Sequence, residues 1–171
     1  MLAVVVLPGC ASAVPKPPND GSMSTATTRA VPFVAPVGFR AVTITVTAPD
    51  GTSRRHCVWL AATEQELQQG LQGVTDPELG GRSGMLFSFP DDSRVAFWMK
   101  DTVMPLSIAW FDAAGAFVSS ADMEPCPAGT RSCPTRSAAR PYRSAVEVPL
   151  GRLDELGLTP GSTLRLGEAC A

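Results

Sequence analysis

Residues Val42-Thr43-Ile44-Thr45-Val46-Thr47 alternate strictly between aliphatic and hydroxyl side chains. A helix would scatter that pattern around its axis, whereas a strand places the aliphatics on one face and the threonines on the other. The run therefore predicts a strand with one buried face. Similar short runs follow at residues 55–61, 85–89, 94–99, 106–111, 116–121, 143–148 and 162–166, parted by turn formers such as Asp50-Gly51 and Asp112-Ala113-Ala114-Gly115. Two short helices interrupt them. Thr63-Glu64-Gln65-Glu66 has the threonine-to-acid spacing of a capping box and predicts a helix through about Gly70, and a second is expected over Leu150 to Leu156, stopped by Gly157. Eight short strands and two small helices predict a mainly β (α+β) single domain over residues 41–171, its sheet compact and curled or barrel-like.

The chain has 171 residues, of which 44% are hydrophobic and 18% charged, so one real core can form and a second would not fit. With 14 Lys+Arg against 16 Asp+Glu, the net charge of -2 offers no basic surface for neutralising phosphates. A nucleic-acid partner is not expected.

Met1 to Leu7 is an uncharged apolar run, far shorter than the ~20 residues of a membrane span. It leads into Leu7-Pro8-Gly9-Cys10-Ala11-Ser12, which resembles a bacterial lipoprotein cleavage box with Cys10 as the lipidated residue. Residues 1–9 then read as the remnant of a signal peptide whose basic region lies upstream. Residues 10–40 are rich in Pro, Ala, Ser and Thr without periodicity and read as a tether, spanning on the order of 30 Å as a coil. The expected location is outside the cytoplasm, anchored to a bacterial membrane through lipid on Cys10.

Four further cysteines remain, Cys57, Cys126, Cys133 and Cys170, an even number suited to two disulfides in an oxidising compartment. Three connectivities are possible. Cys126 and Cys133 share one Pro/Gly-rich loop, so pairing them closes little chain and leaves Cys57 for Cys170.

His56 is the only histidine, so any Ser-His-Asp or Cys-His mechanism must use it. Its neighbour Cys57 would point to the opposite face of a strand, which precludes a dyad. The cysteines follow no zinc-ligand spacing, and there is no phosphate-binding loop or dinucleotide fingerprint. No metal and no cofactor are expected. The glycine run Gly80-Gly81-Arg82-Ser83-Gly84 precedes no helix and reads as a turn.

The most informative stretch is Gly84-Met85-Leu86-Phe87-Ser88-Phe89-Pro90 followed by Phe97-Trp98-Met99-Lys100-Asp101-Thr102-Val103-Met104-Pro105-Leu106. Strand parity puts Lys100, the only lysine of the folded part, on the side of Trp98 and opposite Met99. An aromatic plane beside a cation and the Asp101 carboxylate could recognise a polar ligand with an apolar face. Equally, Trp98 and Met99 could be core, with Lys100 and Asp101 opening an exposed turn. Glu147, between Val146 and Val148, is either a second carboxylate of the same site or solvent-facing.

These residues carry a resemblance. The blocks Gly70-Leu71-Gln72, Gly84-Met85-Leu86-Phe87, Phe97-Trp98-Met99-Lys100-Asp101-Thr102, Pro105-Leu106-Ser107 and Val146-Glu147 resemble the bacterial and archaeal family called domain of unknown function 192. Its pattern reads roughly G-L-M, G-M-L-F, F-W-M-K-N-T, P-L-D and L-E. Gln72, Asp101 and Ser107 depart from it, in place of Met, Asn and Asp. The resemblance implies a compact, mostly β fold, secreted or anchored, with no established reaction.

The leading expectation is a monomeric, lipid-anchored module that binds a small molecule or an envelope protein through Trp98, Lys100, Asp101 and Glu147. No catalytic residue is assigned. The rival is a hydrolase using Asp101 or Glu147 as general base with Lys100 polarising the substrate. A purely structural envelope protein is the third reading.

Overall fold

The computed structural model describes residues 32–170, and the expected leader and lipidated Cys10 lie outside the described residues. Among the described residues there are nine strands and two short helices: β1 (Arg40–Thr47), β2 (Ser53–Ala61), α1 (Glu64–Gln69), β3 (Met85–Ser93), β4 (Phe97–Trp98), β5 (Leu106–Phe111), β6 (Phe117–Met123), β7 (Thr135–Arg136), β8 (Tyr142–Pro149), α2 (Leu153–Leu156) and β9 (Thr163–Ala169). Seven of the strands form one mixed sheet in the order β6-β5-β8-β3-β2-β1-β9, and β4 pairs with β7 in a separate two-stranded ribbon. The β2–β3 pair is parallel, and the other pairs are antiparallel.

The sheet curls but does not close. Its edge strands approach at one end through an isolated bridge between Ala116 and Thr163, with Phe117 N–H donating to the Ser162 carbonyl and Leu164 N–H to that of Gly115. The enclosed side is filled by Val42, Ile44 and Val46 of β1 and by Val58, Leu60, Leu86, Ala109, Phe111, Val146 and Val148. The threonine alternation of β1 thus aims its aliphatics inward, and α2 contributes Leu156 to the same cluster. The outward side of β3, β5 and β8 is buried as well, by Met85, Phe87, Ile108, Trp110 and Ala145 packed against Leu71, Leu79, Met99, Met123 and Cys126. Both faces being covered explains why β5 and the first half of β3 read as nearly continuous apolar runs.

Thr63 caps α1 as the spacing predicts: its Oγ1 accepts from Glu66 N–H at 3.3 Å, and the Glu66 carboxylate accepts from Thr63 N–H at 2.9 Å. The Asp50-Gly51 turn joins β1 to β2, with Asp50 accepting from Thr52 N–H at 2.8 Å. Three expectations are corrected. The strand read over residues 94–99 shrinks to Phe97–Trp98, because Tyr142 Oη donates to the Val95 carbonyl at 2.7 Å and Ser93 Oγ accepts from Val95 N–H, bending the chain before it. β7 is additional, since the two residues Thr135-Arg136 carry no periodicity. The second helix begins only at Leu153, because Leu150 N–H donates to the Pro105 carbonyl and Gly151 is left-handed.

Two disulfides join Cys57 to Cys170 and Cys126 to Cys133, the pairing that loop proximity favours. Cys170 follows β9, beyond β1 from β2, so the longer bridge ties three neighbouring strands and the carboxyl end together. Loop-closure entropy makes it the larger contributor, about 4.8 kcal/mol against about 2.5 kcal/mol for the short bridge.

Gly115 sits at the seam where the sheet edges meet, at φ 79°, and a Cβ there would collide with the Leu164 carbonyl oxygen. Gly115→Ala is therefore expected to destabilise the fold by about 2 kcal/mol or more, through the left-handed backbone and the lost close approach. Urea titration of the variant against the parent chain measures it, and an unchanged midpoint would show that the seam does not matter.

Candidate functional site

Trp98 owes its position to its neighbours. Phe97 is driven into an aromatic cluster, with ring centroids 5.1 Å from Phe87, 6.5 Å from Phe89, 6.1 Å from Trp110 and 6.1 Å from Tyr142. Met99 is buried on the same side. Alternation therefore turns Trp98 and Lys100 outward together, and the Lys100 ammonium lies 5.4 Å from the Trp98 ring centroid, within cation–π range. Trp98 stays 52% exposed, an unusual state for so large an apolar surface.

The segment is braced from behind. Trp98 pairs with Thr135 in the β4–β7 ribbon, and Cys126 bridges to both Lys100 and Thr102, donating its N–H to the Thr102 carbonyl at 2.9 Å. The Cys126–Cys133 disulfide closes the loop that supplies these contacts and leads into β7. Asp101 stands at φ 57°, a left-handed conformation that Asn and Asp tolerate better than most residues. Its carbonyl accepts from Gly73 N–H at 2.9 Å. Its sequence position is thus accounted for by the turn.

Three hollows meet at Trp98 and Gln68. The first, of about 510 Å³, has walls of Leu67, Phe89, Pro90, Val95 and Phe97, with Glu64 and Thr135 at its margins. The second is a narrow crevice of about 40 Å³ that passes Leu71, Gln72, Phe97 and Thr102 and reaches Glu147. The third is an open polar recess between Lys100 and the glutamines of α1, Gln65, Gln68 and Gln69, with Gln72 beyond. Trp98, Lys100 and Glu147 are thus brought around one junction, Lys100 and Glu147 in different arms of it, and Asp101 lines none of the three.

Glu147 is not solvent-facing, which corrects one of the two alternatives for it. It lies mid-strand in β8, opposite Met85 of β3 and Ile108 of β5, and only 4% of it is exposed. The polarity of Val146-Glu147-Val148 hides a strand covered on both faces. Its carboxyl has no hydrogen-bond or ion-pair partner among the described residues, and loss of hydration alone pushes its pKa up to about 8. At neutral pH it is therefore a protonated acid with an O–H to donate.

Gly84 shapes this end of the site. A Cβ there would meet the Glu147 carbonyl oxygen at 2.6 Å and Val148 Cγ1 at 2.9 Å, so only glycine lets β8 lie this close. Ser107, buried on β5, donates to Asp122 at 2.6 Å and accepts from Gly151 N–H at 2.9 Å. His56 is half-buried with its pKa lowered by desolvation, and its neighbour Cys57 is consumed in a disulfide, so the two form no catalytic pair. Among the described residues no group of three His, Cys, Asp or Glu side chains could hold a metal ion.

Comparison with known proteins places the chain in a family. The family model DUF192, described as "Uncharacterized ACR", matches residues 45–166. The chain belongs to the DUF192 family. A solved structure from Novosphingobium aromaticivorans DSM 12444, described as a protein of unknown function, is 32% identical over 85% of this chain and 99% of that one, with a TM-score of 0.62. Another, from Sinorhizobium meliloti 1021 and described as a candidate transcription regulator, is 24% identical over 77% of this chain and 98% of that one, with a TM-score of 0.64. That second likeness shows the fold alone. A search of the curated proteins found no match. Within the DUF192 pattern, the departures of this chain now have physical readings. Asp101 keeps a left-handed turn that Asn would also keep, and Ser107 reaches a carboxylate on the neighbouring strand, Asp122, where the pattern has its own Asp.

The glutamines of α1 and the walls Leu67 and Val95 were not singled out by sequence, because helix and loop residues meet at Trp98 only in three dimensions. The signal that bore on them was the amide-rich run Glu64 to Gln69 just after a capping threonine.

Glu147 predicts a pH dependence of stability. The folded state holds the proton more tightly than the unfolded chain, whose carboxyl titrates near its ordinary value of 4.5. Its contribution is thus fully present below about pH 4.5, is lost as the pH rises through about 8, and is constant beyond. The loss is on the order of 5 kcal/mol at full extent. Glu147→Gln, which cannot ionise, should remove that decline: the stability of the variant relative to the parent chain rises between pH 5 and 8 and then levels off. Urea titrations across that range test it, and a pH-independent difference would mean that the acid is hydrated.

Proposed function

We propose that this domain is a binding module for a small ligand, seated at the junction of Trp98, Gln68 and Glu147, and that it works outside the cytoplasm, held to the membrane by lipid on Cys10. The observation that carries the binding reading is the unpartnered Glu147 acid at the end of a crevice that opens beside a half-exposed tryptophan. A buried carboxyl without a partner costs stability, whereas a ligand that accepts its hydrogen bond recovers part of that cost. Supporting location are the cleavage-box-like sequence Leu7 to Ser12, the Pro-rich segment after it, and two disulfides, which persist in oxidising compartments. The hydrolase reading draws less support, because Asp101 lines no arm of the junction and Lys100 and Glu147 line separate arms. A purely structural role would leave the cost of Glu147 without return.

Screening a small-molecule library by NMR on the full chain tests binding. The Trp98 indole is expected to shift while those of Trp59 and Trp110 stay, and Glu147→Leu, which removes the O–H donor and leaves the indole reporter in place, should weaken the response about tenfold or more, the scale of one lost buried hydrogen bond. A library that leaves Trp98 unmoved counts against the reading. Intact mass spectrometry of the chain from its native host should find lipid on Cys10 and two disulfides, and an unmodified, reduced chain would overturn the location.

A further inference from the structure

The junction at Trp98 is asymmetric. One arm is a recess of about 510 Å³ walled by Leu67, Phe89, Pro90, Val95 and Phe97, a volume within the range of roughly 300–1,000 Å³ usual for small-molecule sites. A second arm, which shares Trp98 and Gln68 with the first, is lined by glutamines and Lys100. Lys100 is the only lysine among the described residues and has no carboxylate within ion-pair distance there; its ammonium lies over the Trp98 ring. The acid in the third arm, Glu147, is held neutral by burial, so it does not cancel the lysine's charge. A cationic ligand would meet Lys100 and be repelled, and a wholly polar ligand would leave the aromatic recess empty.

Resting on the reading that this junction binds a small ligand, but taking its Trp98 and Lys100 arms rather than the Glu147 crevice, we propose that its occupant is a monomeric single-chain amphiphile with a carboxylate head, the acyl body in the Phe89–Val95 recess and the head at Lys100. The apolar recess supplies the affinity, since burying a chain there removes both surfaces from water. Lys100 and the Gln65 and Gln69 amides supply preference for the anion by charge-assisted and neutral hydrogen bonds. One lysine is too little charge to hold a bilayer surface, for which basic clusters are the rule, so the concave recess selects single molecules over membranes.

The test compares octanoate with 1-octanol, two probes of equal chain length differing in the charge of the head, by NMR titration of the Trp98 indole. It uses the full chain carrying Cys10→Ser, so that no attached lipid competes. Octanoate is expected to bind about threefold to fivefold more tightly than octanol, the scale of a partly exposed ion pair, and Lys100→Gln should reduce that preference to about one. Equal affinities in the parent chain, or a preference that survives Lys100→Gln, overturn the assignment of the head to Lys100. If neither probe moves Trp98 while another library compound does, the amphiphile is wrong and the binding junction stands. If nothing moves Trp98, both fail. Association with phosphatidylglycerol vesicles without response to monomeric octanoate also overturns the proposal.

Discussion

The burial of Phe97 among Phe87, Phe89, Trp110 and Tyr142 is the contact on which the rest of the site depends. Edge-to-face aromatic contacts fix a ring in both position and orientation, and an extended backbone then leaves its neighbours no choice of side. With Phe97 and Met99 anchored, Trp98 and Lys100 must project outward as a pair. An exposed tryptophan carries a hydrophobic cost that the same residue would escape by a single step of register. The inward pull of one phenylalanine and one methionine outweighs it, and the result is an aromatic ring held at the surface by the anchoring of its neighbours.

That anchoring is reinforced where a mainly β fold is weakest. The two-residue ribbon of β4 and β7 could not persist alone, since a short hairpin is marginal in water. It is sustained because Cys126 is hydrogen-bonded between the turns around Lys100 and Thr102 and is tied to Cys133 just ahead of β7. The two disulfides therefore do different things. The Cys57–Cys170 bridge restrains the unfolded chain over a long loop and secures the far edge of the sheet, while the short bridge contributes less to global stability and more to the placement of one tryptophan.

Much of this was legible in the chain because it rests on local rules. Alternation at Val42 to Thr47, the capping box at Thr63, the turn at Asp50-Gly51 and the closeness of Cys126 to Cys133 each depend on residues within a few positions, and the structure follows them. Parity alone placed Lys100 beside Trp98. What was not legible depends on contacts between distant segments. The bend that cuts the strand before Phe97 comes from Tyr142, on β8, and β7 exists only because β4 is there to pair with it. The state of Glu147 is the sharpest case. Flanked by valines it looks like one polar residue on an alternating strand, and only the covering of the outer sheet face turns it into a buried acid.

Glu147 also separates a site from a defect. Large stretches of this face are plain hydrocarbon, and Gln, Leu or Met at position 147 would each spare the fold the ionisation that begins within the physiological range. The surrounding geometry does not treat the acid as an accident. The acid shares a crevice with the ring of Trp98 rather than being walled off from it. A crevice of about 40 Å³ has room for a water-sized group and little more. An acid kept neutral there presents one directed donor in a low-dielectric setting, where a hydrogen bond to an incoming acceptor is stronger than it would be in water. Under the binding function proposed above, the stability given up at Glu147 would return as selectivity for a ligand that accepts its hydrogen bond.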